Sequence, residues 1–291
     1  MDFSLDETQS DLRKLAREIL AAETDAWPAL REAGLTEICA PEPAGSALGA
    51  VELAVVLREV GARAAPLPML PHLAGTLALA GYGRTVDGLV TVATRGTDGR
   101  ASSVPYAAQA DHLVVATDQE VLLVGEWTSV PEFTSTGEPA ATVAYASGER
   151  LGDDAERVRD LVLVAAAAQA SGVLAGALEL TTEHIRTRRQ FGRALAEFQA
   201  VTMQIADVYV ASRALDVALW AAAWGGDPRD AALAAFHVSE AFRALYTCQH
   251  LHGGLGLDVT YPLHRYFAQA KQLTHLTGGA DAQLDRMGAL A

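Results

Sequence analysis

LVLVAAAAQASGVLAGAL, residues 161–178, reads either as a membrane span or as the centre of a buried helix. It is long enough on paper to cross a bilayer. However, it is mostly alanine and is interrupted by Gln169 and Ser171. Arg157, Arg159 and Asp160 stand close on one side and Glu179 on the other. A helix of small residues lets neighbouring helices approach closely, so the stretch predicts the core of a helical bundle and no membrane segment.

The rest of the C-terminal half agrees. Apolar residues recur at helical spacing over 154–188, 194–224, 228–250 and 260–277. Gly225-Gly226-Asp227-Pro228 marks a stop and restart, because proline suits the first position of a helix. Four long helices with short connections describe a four-helix bundle. The first eighty residues are also helical in pattern. Ser4 and Glu7 have capping-box spacing, with Phe3 as the staple residue. Leu5, Leu12, Leu15, Ile19 and Leu20 share a face, and 49–64 and 71–80 form two further helices.

Between them the period changes. LVTVAT (89–94), HLVVAT (112–117), EVLLVG (120–125) and ATVAYAS (141–147) are short β-branched runs bounded by turn residues, with Asp118-Gln119 as a tight hairpin turn. The fold class is therefore mostly α with a small β domain. The expected domains are an N-terminal helical domain (1–86), a reduced β domain (87–151) and a C-terminal four-helix bundle (152–291).

Lys and Arg number 22 against 36 Asp and Glu, a net charge of −14 that argues against nucleic-acid binding. The two cysteines, Cys39 and Cys248, build neither a disulfide framework nor a zinc motif, and the acidic start MDFSLDETQS is unlike a signal peptide. A cytoplasmic protein is expected. P-loop and HExxH motifs are absent. GYGRTVDG (81–88) lies between a helix and a strand, the wrong order for a dinucleotide loop. His237, His250, His252, His264 and His275 are scattered without the ExxH pairs a di-iron bundle needs, so no metal is expected.

Against that acidic background, RTRRQFGRALAEFQ (186–199) crowds four arginines into eight residues. An ordinary solvated face is one reading. The other is a seat for an anion, since arginine forks onto phosphate oxygens and Phe191 offers a ring for stacking on a base. HGGLGL (252–257) breaks the helix pattern with adjacent glycines that permit close backbone approach to a ligand. Together the two segments suggest a nucleotide cofactor.

RRQFG followed by AEFQAV and IAD (205–207), with HGGLGLDVTYPLHRYFAQAK (252–271), resembles the C-terminal domain of acyl-CoA dehydrogenases. MDFSLDETQSDLRKLAREIL and CAPEPAGSALGAVELAVVLREVG (39–61) resemble the first domain of the same family. The resemblance implies an FAD enzyme that removes hydrogens from Cα and Cβ of an acyl-CoA thioester, a glutamate taking the α-proton and the flavin the hydride. It further implies that Arg188 contacts the FAD diphosphate and Gln190 bonds nearby. Phe191 and Leu195 would pack on the adenine side, and Gly253 and Gly254 would bring backbone amides to the cofactor. His250 stands where a glutamine is common, and Gln249 is one residue out of register. Arg186 and Arg193 lie off the motif positions and are expected to behave as solvated charges.

The departures matter equally. VTVATRGTDGRASSVPYAAQADHLVV (90–115) replaces the family's longer flavin-wrapping segment. The two positions that commonly carry the base hold Thr277 and Val162, neither with a basic form near neutral pH. In this family FAD lies across a subunit interface. The chain keeps the half donated to a neighbour and lacks the half that serves its own cofactor. That resembles the shortened subunits of heteromeric acyl-CoA dehydrogenases of steroid side chains, where a full-length partner in a heterotetramer supplies base and flavin bed. Two alternatives stand beside it. One is a self-sufficient homo-oligomer with its base moved to Asp281 or Glu240. The other is a non-catalytic assembly protein of the same fold.

Overall fold

A computed structural model describes residues 3–23, 25–134 and 136–291. The chain divides into two compact units, Met1–Leu57 with Pro66–Ala165, and Arg58–Ala65 with Ala166–Ala291. Two of the three boundaries fall inside helices, α3 (Ala50–Ala62) and α5 (Ala155–Thr187), and the third, between Ala65 and Pro66, in the loop after α3.

The first unit opens with α1 (Glu7–Ala22) and α2 (Trp27–Glu32). The capping box of α1 is Asp6 with Gln9, two residues later than the Ser4–Glu7 pair expected from spacing. The Asp6 carboxylate accepts from the Gln9 N–H at 2.8 Å, and the Gln9 amide oxygen accepts from the Asp6 N–H at 3.0 Å. The buried Gln9 side chain donates onward to Glu52 at 2.9 Å, which explains why the cap is selected there. α4 (Met69–Gly81) is almost wholly apolar, and Leu30, Leu53, Leu57, Met69 and Leu73 are fully buried in this unit. Each contributes about 1.5–3 kcal/mol over an exposed side chain. His72 on α4 accepts the Val90 N–H through Nδ1 at 3.1 Å, and burial lowers its pKa to about 4, so a neutral ring ties α4 to the first strand.

Seven strands follow where four were expected: β1 (Val90–Gly96), β2 (Arg100–Pro105), β3 (His112–Thr117), β4 (Val121–Val124), β5 (Thr128–Pro131), β6 (Ala140–Ala144) and β7 (Glu149–Gly152). They form two sheets, β1-β3-β4-β7 with β1 and β3 parallel, and β2-β6-β5. The three unanticipated strands, β2, β5 and β7, all lie at sheet edges. Edge strands face water and tolerate proline and charge, so RASSVP, TSVP and ERLG lack the alternation that betrays a buried strand. The expected turn at Asp118-Gln119 joins the antiparallel pair β3 and β4. Arg159, on the first turns of α5, reaches the carbonyls of Thr94 (3.0 Å) and Thr117 (2.7 Å) at the ends of β1 and β3.

The second unit is helical. Besides the ends of α3 and α5 it holds α6 (Gln199–Gly225), α7 (Pro228–His252), α8 (Leu263–Leu276) and α9 (Gly279–Ala289). α5 has the length and apolarity of a membrane span, but 83% of that window is buried, as a core helix would be. Its small residues allow a tight crossing with the end of α3. A Cβ at Gly172 would lie 1.9 Å from the Arg58 carbonyl oxygen, and one at Gly61 would lie 2.0 Å from that of Gln169. The restart at 225–228 is as expected: Gly226 takes φ +65°, Asp227 caps α7, and Pro228 is its first residue. Two boundaries differ. α6 begins at 199, not 194, because a hairpin intervenes. α9, a fifth helix packed on α7, was missed because it opens on the glycine pair Gly278-Gly279, an unusual helix start.

Candidate cofactor site

α5 ends at Thr187, and Arg188 N–H still donates to the His184 carbonyl at 2.8 Å. The chain then turns back on itself: β8 (Arg189–Gln190) pairs with β9 (Arg193–Ala194), and Leu195 N–H closes the loop on the Arg188 carbonyl at 2.9 Å. The turn residues Phe191 and Gly192 both have positive φ, +52° and +83°, the pattern of a type I′ turn. A phenylalanine in that region is strained. The residue is 93% exposed, an unusual place for an apolar group, and among the described residues its ring meets only the Phe198 ring edge-on, at 6.3 Å between centroids.

The arginines of this hairpin differ from one another. Arg193 is exposed, as expected of a solvated charge, and in addition lies 4.0 Å over the Phe198 ring. Arg189 donates to the Gly192 carbonyl at 3.3 Å. The guanidiniums of Arg186 and Arg188 have no ion-pair partner among the described residues, and both side chains are exposed. Gln190 is exposed as well. Leu195 is half-buried in a short 3-10 turn (Leu195–Glu197) held by Glu197, whose carboxylate accepts the Ala194 N–H.

At the other segment, α7 ends at His252, and Gly253 takes φ +60° to enter a 3-10 turn, Gly253–Leu257. The Gly253 N–H donates to the His250 carbonyl, so it is engaged within the turn and not free for a ligand as expected. Cβ atoms at Gly253 and Gly254 would meet nothing within 4 Å, which leaves a bare backbone face. Gly256 is glycine for a different reason, since its Cβ would lie 2.5 Å from the Gln249 carbonyl oxygen. The Gln249 amide is committed too, donating to Gly256 O at 3.1 Å. His250 is exposed at the last turn of α7.

A pair that the sequence reading did not single out joins the two segments. The rings of His184 and His252 stack with centroids 4.3 Å apart and planes 23° from parallel. His184 lies one helical turn before Arg188, and His252 immediately precedes Gly253. The i, i+4 spacing of His184 and Arg188 on one helix face was the available signal. Burial lowers the pKa of both histidines, with His252 and then Arg188 lowering that of His184 further. Among the described residues no cluster of three or more metal-ligating side chains exists.

Neither common base position is available. Val162 is buried on α5. Thr277 is buried in the turn after α8, where its hydroxyl donates to Thr274 O at 3.1 Å and its carbonyl accepts from Gln283. Glu240 pairs with Arg243 at 2.8 Å, and Asp281 is exposed on the first turn of α9. In the first unit, an open cavity of about 430 Å³ lined by Trp27, Arg31, Glu37, His72, Tyr106 and Asp111 among others contains none of the expected site residues.

Comparison with known proteins identifies the family. Residues 164–290 match the family model described as acyl-CoA dehydrogenase, C-terminal domain. The chain is 34% identical to acyl-CoA dehydrogenase FadE28 of Mycobacterium tuberculosis, over 99% of this chain and 98% of that protein. Among solved structures it resembles the Tcur3481-Tcur3483 steroid ACAD, with TM-score 0.90 and 30% identity over 98% of this chain and 97% of that one. It also resembles the ChsE4-ChsE5 complex from Mycobacterium tuberculosis, with TM-score 0.89 and 29% identity over 99% and 98%. With near full-length similarity and the arginine hairpin and glycine turn side by side, the chain belongs to the acyl-CoA dehydrogenase family, whose cofactor is FAD.

Proposed function

We infer that this chain is one subunit of a heteromeric acyl-CoA dehydrogenase that dehydrogenates the α,β bond of a CoA thioester, with a steroid side chain as the favoured acyl group. In this reading it contributes half of an FAD site, and a full-length partner in a heterotetramer carries the base. One contrast carries the inference. Both common base positions hold Thr277 and Val162, buried residues with no basic group, whereas Arg188 presents an unpaired guanidinium beside an exposed Phe191.

The residues present fit the cofactor. Its diphosphate needs cationic forks, which Arg188 supplies, and its flat rings need an apolar face, which Phe191 and Leu195 supply. The bare backbone at Gly254, where a Cβ would meet nothing, allows close approach. Gln190 and His250 are exposed and available as polar contacts. Bound FAD would accept the hydride from Cβ. This chain's residues would grip and orient it, and the partner would move the α-proton. The steroid assignment draws on the resemblance to the Tcur3481-Tcur3483 steroid ACAD. The reading keeps the three domains 1–86, 87–151 and 152–291, and a cytoplasmic site where the buried Cys39 and Cys248 stay thiols.

The test is flavin absorbance and turnover of the purified chain, alone and co-purified with a full-length acyl-CoA dehydrogenase partner. The expected result is little FAD and no turnover alone, and stoichiometric FAD in the complex. Stoichiometric FAD with turnover by the lone chain would establish the homo-oligomer instead. A complex without FAD would make it an assembly protein.

A further inference from the structure

We propose that the stacked His184–His252 pair is a positioning element: it holds the Gly253–Gly254 turn in register with the Arg188 hairpin while both rings are neutral, and releases the two segments when the pair takes up protons.

The placement is direct. The backbone of His184 already bonds Arg188, whose N–H donates to the His184 carbonyl at 2.8 Å. The His252 ring is attached to the last residue before the glycine turn. A ring-on-ring contact of 4.3 Å therefore joins the ends of α5 and α7 where the two candidate segments begin, one turn beyond the Thr181–Cys248 side-chain hydrogen bond between the same helices. Two neutral aromatic faces attract, while two imidazolium rings at that separation repel.

The hydrogen bonding gives the tautomer. His252 Nδ1 lies 2.8 Å from the Cys248 carbonyl oxygen, which can only accept, so Nδ1 carries the hydrogen. Nε2 is then the lone-pair nitrogen. It is sealed from solvent and has no partner, so a proton placed there would create a buried N–H with no acceptor. The titratable and charged groups around the pair are few. Arg188 acts from α5, the buried Cys248 sits on α7, and the Tyr261 ring lies 5.3 Å from His252 before α8. No carboxylate is among the groups acting on either ring.

Burial lowers both pKa values, which sets the sign. The stack's contribution is fully present above the ordinary histidine value of 6.5. It is lost as pH falls from there through the lowered range.

The experiment is hydrogen–deuterium exchange of the full chain at residues 189–194 and 253–257, near pH ~7.5 and ~5, corrected for the intrinsic pH dependence of exchange. In wild type both segments should lose protection together at acid pH, by roughly tenfold. His184→Phe, which keeps a ring and removes the second charge of the repelling pair while His252 still titrates, should hold protection at neutral pH and lose clearly less than wild type at acid pH. His184→Tyr is the second ring variant should the first fold poorly. His184→Ala should loosen both segments even at neutral pH. Ring variants that track wild type, or full protection in His184→Ala, would overturn the proposal. FAD retained by the complex at acid pH gives a second readout, lost in wild type and lost clearly less in His184→Phe, and only this arm rests on the cofactor reading. A complex that holds no FAD at any pH refutes that reading, while the exchange result still judges the stack.

Discussion

Arg58 and Arg188 lie in the same unit and meet opposite surroundings. Arg58 reaches Asp216 through Nε and Nη2, both at 3.3 Å, and Ser171 Oγ through Nε at 3.0 Å. Asp216 in turn accepts from Ser171 at 2.5 Å and from Arg213 at 2.8 Å, with only 5% of its side chain exposed. Every oxygen of that carboxylate is engaged, so the cluster serves the packing of α3, α5 and α6. Arg188 is exposed and has no ion-pair partner among the described residues. The arginine spent on the fold is paired and half-hidden, and the one proposed to meet a ligand is exposed and without an ion pair among the described residues. The contrast separates two roles that residue type alone leaves merged.

The largest expected effect tests the paired side. Asp216→Ala leaves Arg58 without its counter-charge and Ser171 without its acceptor, and should cost about 3 kcal/mol of stability in urea unfolding. A loss below about 1 kcal/mol would mean that water already screens Arg58 and that the contrast is overdrawn.

Next comes the unpaired side. Arg188→Ala removes a charge-assisted contact of about 1.5–3 kcal/mol, a ten- to hundredfold loss of FAD affinity in the complex. Stability should stay within about 0.5 kcal/mol of wild type, because an exposed arginine has little packing to lose. FAD retained per complex after dialysis is the measurement. Equal retention in the variant returns the cluster to an ordinary solvated face.

The smallest effect sharpens the line between the two classes. Arg193 packs on Phe198, so Arg193→Ala should lower stability by about 0.5–1 kcal/mol and leave FAD retention nearly intact. Arg186→Ala should move neither quantity. Thermal unfolding of both variants checks this, and indistinguishable midpoints would remove the ring contact from the argument.

Much of this was legible in the chain. The alanine-rich run at 161–178 announced a buried helix, the breakers at 225–228 announced its neighbours, and RRQFG with HGGLGL marked the two segments of the candidate site. What went unread had specific causes. The strands β2, β5 and β7 are edges with polar faces. The Phe191-Gly192 turn places a phenylalanine where asparagine or glycine is usual. His184 and His252 stand far apart in sequence and form one stack.

Helix and strand periods, caps and turn residues act through neighbours within a few positions, so the sequence by itself determined the succession of helices, sheet and helices, the family and the arginines to inspect. Pairing across long separations is different. Arg58 with Asp216, His184 with His252 and Gly61 with Gln169 depend on which helix faces meet, and many crossings are compatible with the same periodicity. Only the tertiary structure decided which arginine is spent on the core and which faces outward, because charge compensation depends on distance through space and not along the chain.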